Sequence, residues 1–537
     1  MPLVDKTFFE RAIHNIAHWG DTDIFPFPID NHVAHDKAPE LARILEGMGS
    51  DLTASLHAYP VLSHSTLSPV GYSGFRWATQ IDPLWNAYLL GVTLSLAQSI
   101  EAARIPRSSG HVYSYRFEPE ADRLFWSDGW SAFQERTREL ASRYKYVVVT
   151  DIADFYPRLY HHRIENALQP LDATGAKTGQ IMDILIRLSN STSYGLPVGG
   201  PAARILSEIT IDQIDRLLLA ELKNGEFCRF ADDYRIFVDD LQSAHHAVGF
   251  LSEKLFLNQG LSLQKSKTTI MRGDEYLAIL DPTDPPEGSA SRFLKLHLHF
   301  DPYSETPLED YERLRGEIDQ FDILDLLRRE LLKGQVHTSV TKKLVKALRF
   351  LDVQSRELAV RSLLDQGNFE RLAPIMPQVL MSIGAALVGA SDEFVAFVCK
   401  EIRSRIEGDH YLARVELNLA YMIRLLAMDH SPETEQLLIR LYDRGHGYRN
   451  APSPLIQRDI MLVLGRWEVR FWLSDQRSRY QTMHPWVKRA FAVASYSLGD
   501  EGRHWRRANK KAMIEYDQLM LEWAGDKVQL LDWRIPL

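Results

Sequence analysis

Cysteine is almost absent from this chain: Cys228 and Cys399 are the only two in 537 residues. A disulfide framework needs several paired thiols, and a structural zinc site needs four ligands at short spacing, so neither scaffold is open to it. No window approaches the roughly 18 continuous apolar residues of a membrane span. The opening MPLVDKTFFERAIHNIAHWG lacks the basic-then-apolar order of a secretion signal and reads as an amphipathic helix. These absences predict a cytoplasmic protein with no membrane partner. An excess of basic charge is also missing. The net charge of −9 excludes a general nucleic-acid coat, but not an enzyme whose basic residues cluster. Hydrophobic content of 45% and charged content of 25% are ordinary for a globular protein, and the length predicts more than one domain.

What is present is acid in particular places. Phe230-Ala231-Asp232-Asp233 lies between the apolar flanks Phe227–Phe230 and Ile236–Val238, which predicts a β-hairpin with two carboxylates at its tip. Upstream, the β-branched run Val147-Val148-Val149-Thr150 ends in Asp151. Such a run reads as a buried central strand whose last residue is held at the strand end. Between them lies Gly195-Leu196-Pro197-Val198-Gly199-Gly200-Pro201, and beyond them Gly260-Leu261-Ser262-Leu263-Gln264-Lys265-Ser266-Lys267-Thr268. A strand end and a hairpin tip that bring carboxylates together suit Mg²⁺, which takes a few carboxylates plus substrate phosphates. Two such ions lower the pKa of an attacking 3′-hydroxyl and neutralise a leaving pyrophosphate. Taken singly, Ala-Asp-Asp is a common solvated turn and a terminal Asp a common capped strand. Their conjunction in this order points to nucleotidyl transfer.

Residues 70–285 resemble a reverse transcriptase. Asp151 matches the metal-binding Asp of the first palm motif, Gly195 to Gly200 the second, Asp232 and Asp233 the third, and Gly260 to Thr268 the fourth. The resemblance implies catalytic roles for Asp151, Asp232, Asp233 and Lys267. Asp151 and Asp232 would be the main metal ligands, with Ile152 in the same set and Asp233 in support; Lys267 would donate a proton to pyrophosphate. The implied cofactor is two Mg²⁺ ions, with Mn²⁺ as a substitute. Implied nucleotide contacts are Phe155, Tyr156, Pro197 and Gly199. Tyr156 stands where the family places an aromatic gate against the ribose 2′-hydroxyl, favouring dNTPs; the alternative is an ordinary core Tyr. Two departures concern template and nucleotide contacts: Val198 replaces a frequent Gln, and Ala202 and Ala203 stand where a small hydroxyl residue is common.

The segment Gly20–Asp30, GDTDIFPFPID, stops the first helix with its Gly, Asp and prolines. It resembles the N-terminal motif of bacterial defence-associated reverse transcriptases. Gly74-Phe75-Arg76 and Val112–Phe117 look like fingers elements of that group. Arg76 and Arg116 offer planar guanidinium forks to a triphosphate, or pair with nearby acids.

The Pro/Gly-rich stretch Asp281–Ser291 and the run Phe293–Phe300 end the palm. Beyond Leu308 the pattern is helical, with apolar spacings of three and four in Lys342–Leu351, Val415–Met428, Leu455–Leu464 and Val487–Leu498. Pro454 and Arg458 recur as Pro485 and Arg489, which brings Ile460 and Phe491 into one register. That predicts either a HEAT-like repeat of helical hairpins or a plain bundle. Between Ser453 and Lys511, Lys and Arg outnumber acids and interleave with Trp467, Trp472, Trp486 and Trp505. Arg503, Arg506, Arg507 and Lys510 then either line the path of a single strand or form a solvated surface over a Trp-rich core. The pairs His161-His162 and His297/His299 lack carboxylate or Cys partners at ligand spacing and read as ordinary histidines.

The expected fold class is α+β: a helical extension (1–60), reverse-transcriptase fingers and palm (61–300), and an all-α domain (301–537). A palm with a helical domain and no short basic thumb resembles the abortive-infection (AbiK-like) reverse transcriptases. That group implies anti-phage function and DNA synthesis from a protein primer, either without template or on a non-coding RNA. It also implies single-stranded DNA product and a homo-oligomer, trimer or hexamer. The alternatives are a conventional RNA-templated enzyme of retron or group II intron type, and an inactive palm kept as a binding scaffold.

Overall fold

The valine run forms the strand it predicts, and a sheet is built around it. The computed structural model describes residues 3–20, 24–72, 74–280, 293, 307–530 and 532–537. β1 (Ser63–Val70) and β2 (Gly74–Ile81) make a two-stranded sheet. β3 (Tyr146–Asp151), β4 (Gly225–Phe230), β5 (Asp233–Val238) and β6 (Thr269–Arg272) make a second sheet in the spatial order β4-β5-β3-β6, each neighbouring pair antiparallel. β3 is interior, and Val147 and Val148 are fully buried. β4 and β5 are joined by Ala231 and Asp232 alone. Ala231 has φ +53, the left-handed conformation that a two-residue hairpin turn demands and that Asn or Gly usually supplies.

Helices cover the sheet. Gly129–Arg143 packs on β4, and Leu241–Lys254 on β5 and β3. Pro83–Ala103 is buried along most of its length and is capped by Asp82, which accepts from the Leu84 N–H at 3.1 Å. Pro201–Glu221 starts on a proline, where a missing N–H costs nothing, and carries Glu208, Asp212 and Asp215 into the interior. Near the N-terminus, Lys6–Trp19 is the expected amphipathic helix, capped by Asp5 and stopped at Gly20.

The chain divides into two compact units. The first is Met1–Asp23, Ala34–Ser63 and Thr79–Thr283; the second is Ile24–Val33, His64–Ala78 and Asp284–Leu537. This departs from three consecutive segments, because two N-terminal stretches are tied to the C-terminal helices. Tyr421 donates to the Ile24 carbonyl (3.0 Å) and Arg424 to the Phe27 carbonyl (2.7 Å). Asp30 accepts from Tyr516 at 2.9 Å and pairs with Arg489 at 3.4 Å. Tyr72 donates to the Arg371 carbonyl at 2.9 Å. From Pro307 onward the described elements are helices. Pro454–Arg466 and Pro485–Ala494 both open on proline and bury Ile460 and Phe491. The expected end of the palm, residues 281–300, lies outside the described residues apart from Phe293, and His297 and His299 lie there too. Among the described residues no helix is long and apolar enough to cross a membrane. Cys228 and Cys399 are buried and unpaired.

Candidate active site

The acids converge at one end of the central strands. Antiparallel register sets Asp151, the last residue of β3, opposite Asp233, the first of β5. The Ile152 N–H donates to the Asp232 carbonyl at 3.0 Å, which ties the hairpin tip to the strand end. The stretch after Gly260 closes the other side: Ala153 N–H donates to the Ser262 carbonyl (2.9 Å), and Gln264 N–H to the Asp151 carbonyl (2.7 Å). This delivers Lys267, whose Nζ lies 2.6 Å from Asp151 Oδ2. Arg235 lies 3.4 Å from Asp233. Burial, then the charges of Asp151 and Asp233, push the Asp232 carboxyl up to about 6. The hydrogen bond to Asp151 holds the Lys267 ammonium above its ordinary value.

Among the described residues no group of three or more His, Cys, Asp or Glu could hold a metal ion alone. The donor set nevertheless fits a hard divalent cation. Burial first, and the neighbouring Asp151 charge second, lift the Asp232 carboxyl, and a bound cation would offset both. Mg²⁺ needs only one or two carboxylates when substrate phosphates complete its shell.

A buried ionic network underlies the hairpin tip. The Arg229 guanidinium is fully buried and bonds Asp215 at 2.7 Å, Glu208 at 3.0 Å and the Ala231 carbonyl at 2.9 Å. The last bond holds the left-handed turn residue. Ser114 donates to Glu208 at 2.6 Å, Arg104 lies 2.5 Å from it, and Tyr234 donates to Asp215 at 2.7 Å. Sequence reasoning missed these residues. The available signal was Glu208 and Asp215 placed two helical turns apart, on one face of the helix Pro201–Glu221.

The glycine-rich loop is fixed against the chain that follows β3. Leu196 N–H donates to the Tyr156 carbonyl (2.9 Å), and Gly195 N–H to the Leu159 carbonyl (2.8 Å). Buried His161 bonds the Gly195 carbonyl at 2.9 Å, a structural use in line with its reading as an ordinary histidine. Gly195 and Gly199 have φ +105 and +116, which L side chains rarely adopt. Tyr156 packs on Phe155, ring centroids 5.2 Å apart, with its hydroxyl buried. Burial, with Tyr115 beside it, raises that phenol well above its usual range. Tyr115, a residue that sequence reasoning passed over, stacks obliquely on Phe230 and lies under Arg204.

Residues 98–295 match the family model described as reverse transcriptase (RNA-dependent DNA polymerase). The chain carries a reverse-transcriptase domain. Its enzyme class is RNA-directed DNA polymerase, a nucleotidyltransferase. No curated protein matches the chain. Solved structures with distant likeness include telomerase from Candida albicans in complex with a TWJ fragment of telomeric RNA, at 12% identity and TM-score 0.29, covering 69% of each chain. Apo telomerase from Candida tropicalis matches at 10% identity and TM-score 0.28, over 74% of this chain and 70% of that one.

The reverse-transcriptase domain therefore gathers Asp151, Ile152, Asp232, Asp233 and Lys267 at one place, and ties Tyr156 to Leu196, the residue before Pro197. Other expectations are corrected. Arg116 is interior: it pairs with Glu101 at 2.9 Å and bonds the carbonyls of Val112 and Ile105, so it has no fork left for a triphosphate. Arg76, by contrast, is exposed on β2. Three of the four interleaved tryptophans are not stacking faces: Trp472, Trp486 and Trp505 are buried, and Trp505 packs between Tyr480 and Phe491; Trp467 is half-buried and stacks on His430 at 4.6 Å. The cations around them are largely engaged. Arg503 pairs with Asp500, Arg506 donates to the Ser495 carbonyl (2.7 Å), and Lys510 pairs with Glu522 (2.8 Å); Arg507 is exposed.

Proposed function

We propose that the protein polymerises dNTPs into DNA using two divalent cations, magnesium with manganese as a substitute. Asp151 and Asp232 would hold them, supported by Asp233 and Ile152. The convergence of Asp151, Asp232 and Lys267 at the end of β3 carries this reading. When bound, the cations would lower the pKa of the attacking 3′-hydroxyl and offset charge on the phosphates. The chain's own groups do the rest. Asp151 and Asp232 supply negative charge in a confined place. Lys267 holds a proton within reach of a leaving pyrophosphate. The ring of Tyr156 takes the space a 2′-hydroxyl would need, favouring deoxynucleotides. The loop from Gly195 to Gly199, fixed against Tyr156 by main-chain bonds, keeps that wall in position.

The finer assignment is to the abortive-infection enzymes: cytoplasmic, homo-oligomeric, protein-primed, and acting against phage on a non-coding RNA or without template. It is supported by the Gly20–Asp30 motif and by a large helical unit where a retron or group II intron enzyme carries a short basic thumb. Retention of all three carboxylates speaks against an inactive scaffold. The test is purified protein with Mg²⁺ and labelled dNTPs, with and without added RNA, followed by sequencing of the product. Incorporation that Asp232→Asn abolishes is expected. Undiminished incorporation by that variant refutes the assignment, and product copied from any added RNA and extended from an added primer returns the conventional reading.

A further inference from the structure

We propose that a face of the second unit, formed by β2 and the loop His446–Ala451, binds single-stranded RNA. The motivating observation is a cluster of half-exposed rings. Phe75 is 49% exposed, Trp77 46%, Tyr411 48% and Tyr448 54%. Large rings left in water singly are unremarkable; grouped, they mark a contact surface. Phe75 meets Tyr448 edge-on at 6.0 Å, Arg449 lies over Trp77 at 5.2 Å, and Tyr411 stacks on His410 at 4.8 Å.

Cations accompany the rings. Arg444 and Arg449 are exposed, and among the described residues no carboxylate comes within ion-pair distance of them; Arg76, between Phe75 and Trp77 in the strand, projects from the opposite face. Beside Tyr448 lies a cavity of about 670 Å³ whose polar lining includes Arg414, Arg444 and Asn450 with the acids Glu407 and Asp409, a volume suited to one nucleotide.

The face has a firm base. His446 N–H bonds the Ala451 carbonyl at 3.0 Å, and the buried His446 ring bonds the Leu441 carbonyl at 2.8 Å while accepting from Ser453 N–H at 2.9 Å. At the foot of β1, His64 lies 2.5 Å from Glu416. Guanidiniums outside ion-pair distance of any described carboxylate, beside half-exposed rings, suit a chain of phosphates with unstacked bases, and a duplex, whose bases are already stacked, gains nothing from the rings. The choice of RNA rests on the polymerase reading above. RNA-directed synthesis leaves the DNA product paired to its template, so the strand still single is RNA. The Asn450 side-chain amide adds a donor and an acceptor for the 2′-hydroxyl, the group that tells RNA from DNA; Asp409 is held by Arg414.

The experiment is fluorescence anisotropy on the full chain, without Mg²⁺, using a labelled unstructured RNA of about 20 nucleotides, enough to cover a typical single-strand site, and DNA of the same sequence. Trp77→Ala with Tyr448→Ala should weaken RNA binding about 30-fold or more through two lost stacks. Trp77→Phe with Tyr448→Phe, which keeps both rings, should restore it. Arg444→Gln with Arg449→Gln should lower the salt slope by about 1.4, at roughly 0.7 per single-strand phosphate contact. Unchanged affinity in the double alanine variant overturns the proposal. So does absence of RNA binding by the wild type, which would leave the face to a protein partner. DNA bound as tightly as RNA overturns the choice of RNA. Asp232→Asn separates the two readings: if it still incorporates nucleotide, the polymerase chemistry fails while a binding loss confined to the 77/448 variant still stands.

Discussion

Arg229→Met tests whether the ionic network under the hairpin tip does what its geometry implies. The guanidinium is fully buried and donates to both Asp215 oxygens, to Glu208 and to the Ala231 carbonyl. Without it Glu208 keeps Arg104 and Ser114, whereas Asp215 keeps only the Tyr234 hydroxyl. Breaking one side of a buried ion pair costs about 3–5 kcal/mol. Burial already raises the Asp215 carboxyl above its ordinary value despite Arg229. In the variant it would take up a proton and recover part of the loss, so the lower end, about 3 kcal/mol at pH 7, is expected. The deficit should shrink as pH falls, because the proton then comes more cheaply. Two compact units make a global melt composite, so the readout is hydrogen exchange of peptides covering β4 and β5. A loss of 3 kcal/mol corresponds to roughly 150-fold faster exchange there. Asp215→Asn added to Arg229→Met removes the stranded charge and should recover more than half. Nucleotide incorporation should fall in the single variant, since Ala231 loses the donor that holds its left-handed conformation. Exchange within threefold of wild type at pH 7 would refute the reasoning.

Asp232 titrates near 6 against an ordinary 3.8, so the folded protein holds this proton more tightly than the unfolded chain does. Stability should therefore fall as pH rises from about 4 to 6 and stay reduced above. Asp232→Asn should gain up to about 3 kcal/mol at pH 7 and little at pH 4; equal gains at both, by hydrogen exchange of the β4 and β5 peptides, would contradict the assignment. Added Mg²⁺ should slow that exchange more in the wild type than in the variant. Tyr156→Ala should let ATP compete with dATP for incorporation, and a wild type that already uses both equally would remove the gate. Arg503→Glu with Arg507→Glu should change the salt slope of RNA binding by less than one phosphate contact, about 0.7, because Arg503 is committed to Asp500; a larger drop restores this segment as a nucleic-acid path.

Local signals carried the site further than the fold. Four β-branched residues were enough to place Asp151 at a strand end, and the flanks of Ala231-Asp232 were enough to place a hairpin, because both depend on neighbours in sequence. Periodicity likewise located the helices around Ile460 and Phe491. Burial of charge was not legible. Arg116 and Arg229 look alike as residues near aromatic strands, and only three-dimensional packing shows both enclosed with acids from distant helices. Trp472, Trp486 and Trp505 were ambiguous for the same reason: a ring beside an arginine in sequence can face either the solvent or the core. The attachment of residues 24–33 and 64–78 to the C-terminal helices leaves no pattern in composition or spacing.

That attachment bears on how the protein is made. Asp30 and its partner Tyr516 are 486 residues apart. At roughly 5–20 residues per second, the ribosome releases Asp30 about half a minute to a minute and a half before it finishes Tyr516. For most of that interval, until the helix carrying Tyr421 and Arg424 emerges 397 residues later, the apolar stretch around Ile24, Phe25 and Ile29, buried in the finished protein, lacks those partners. Premature termination would leave this segment permanently without its partners, and the nascent chain is a natural client for chaperones that shield short hydrophobic sequences.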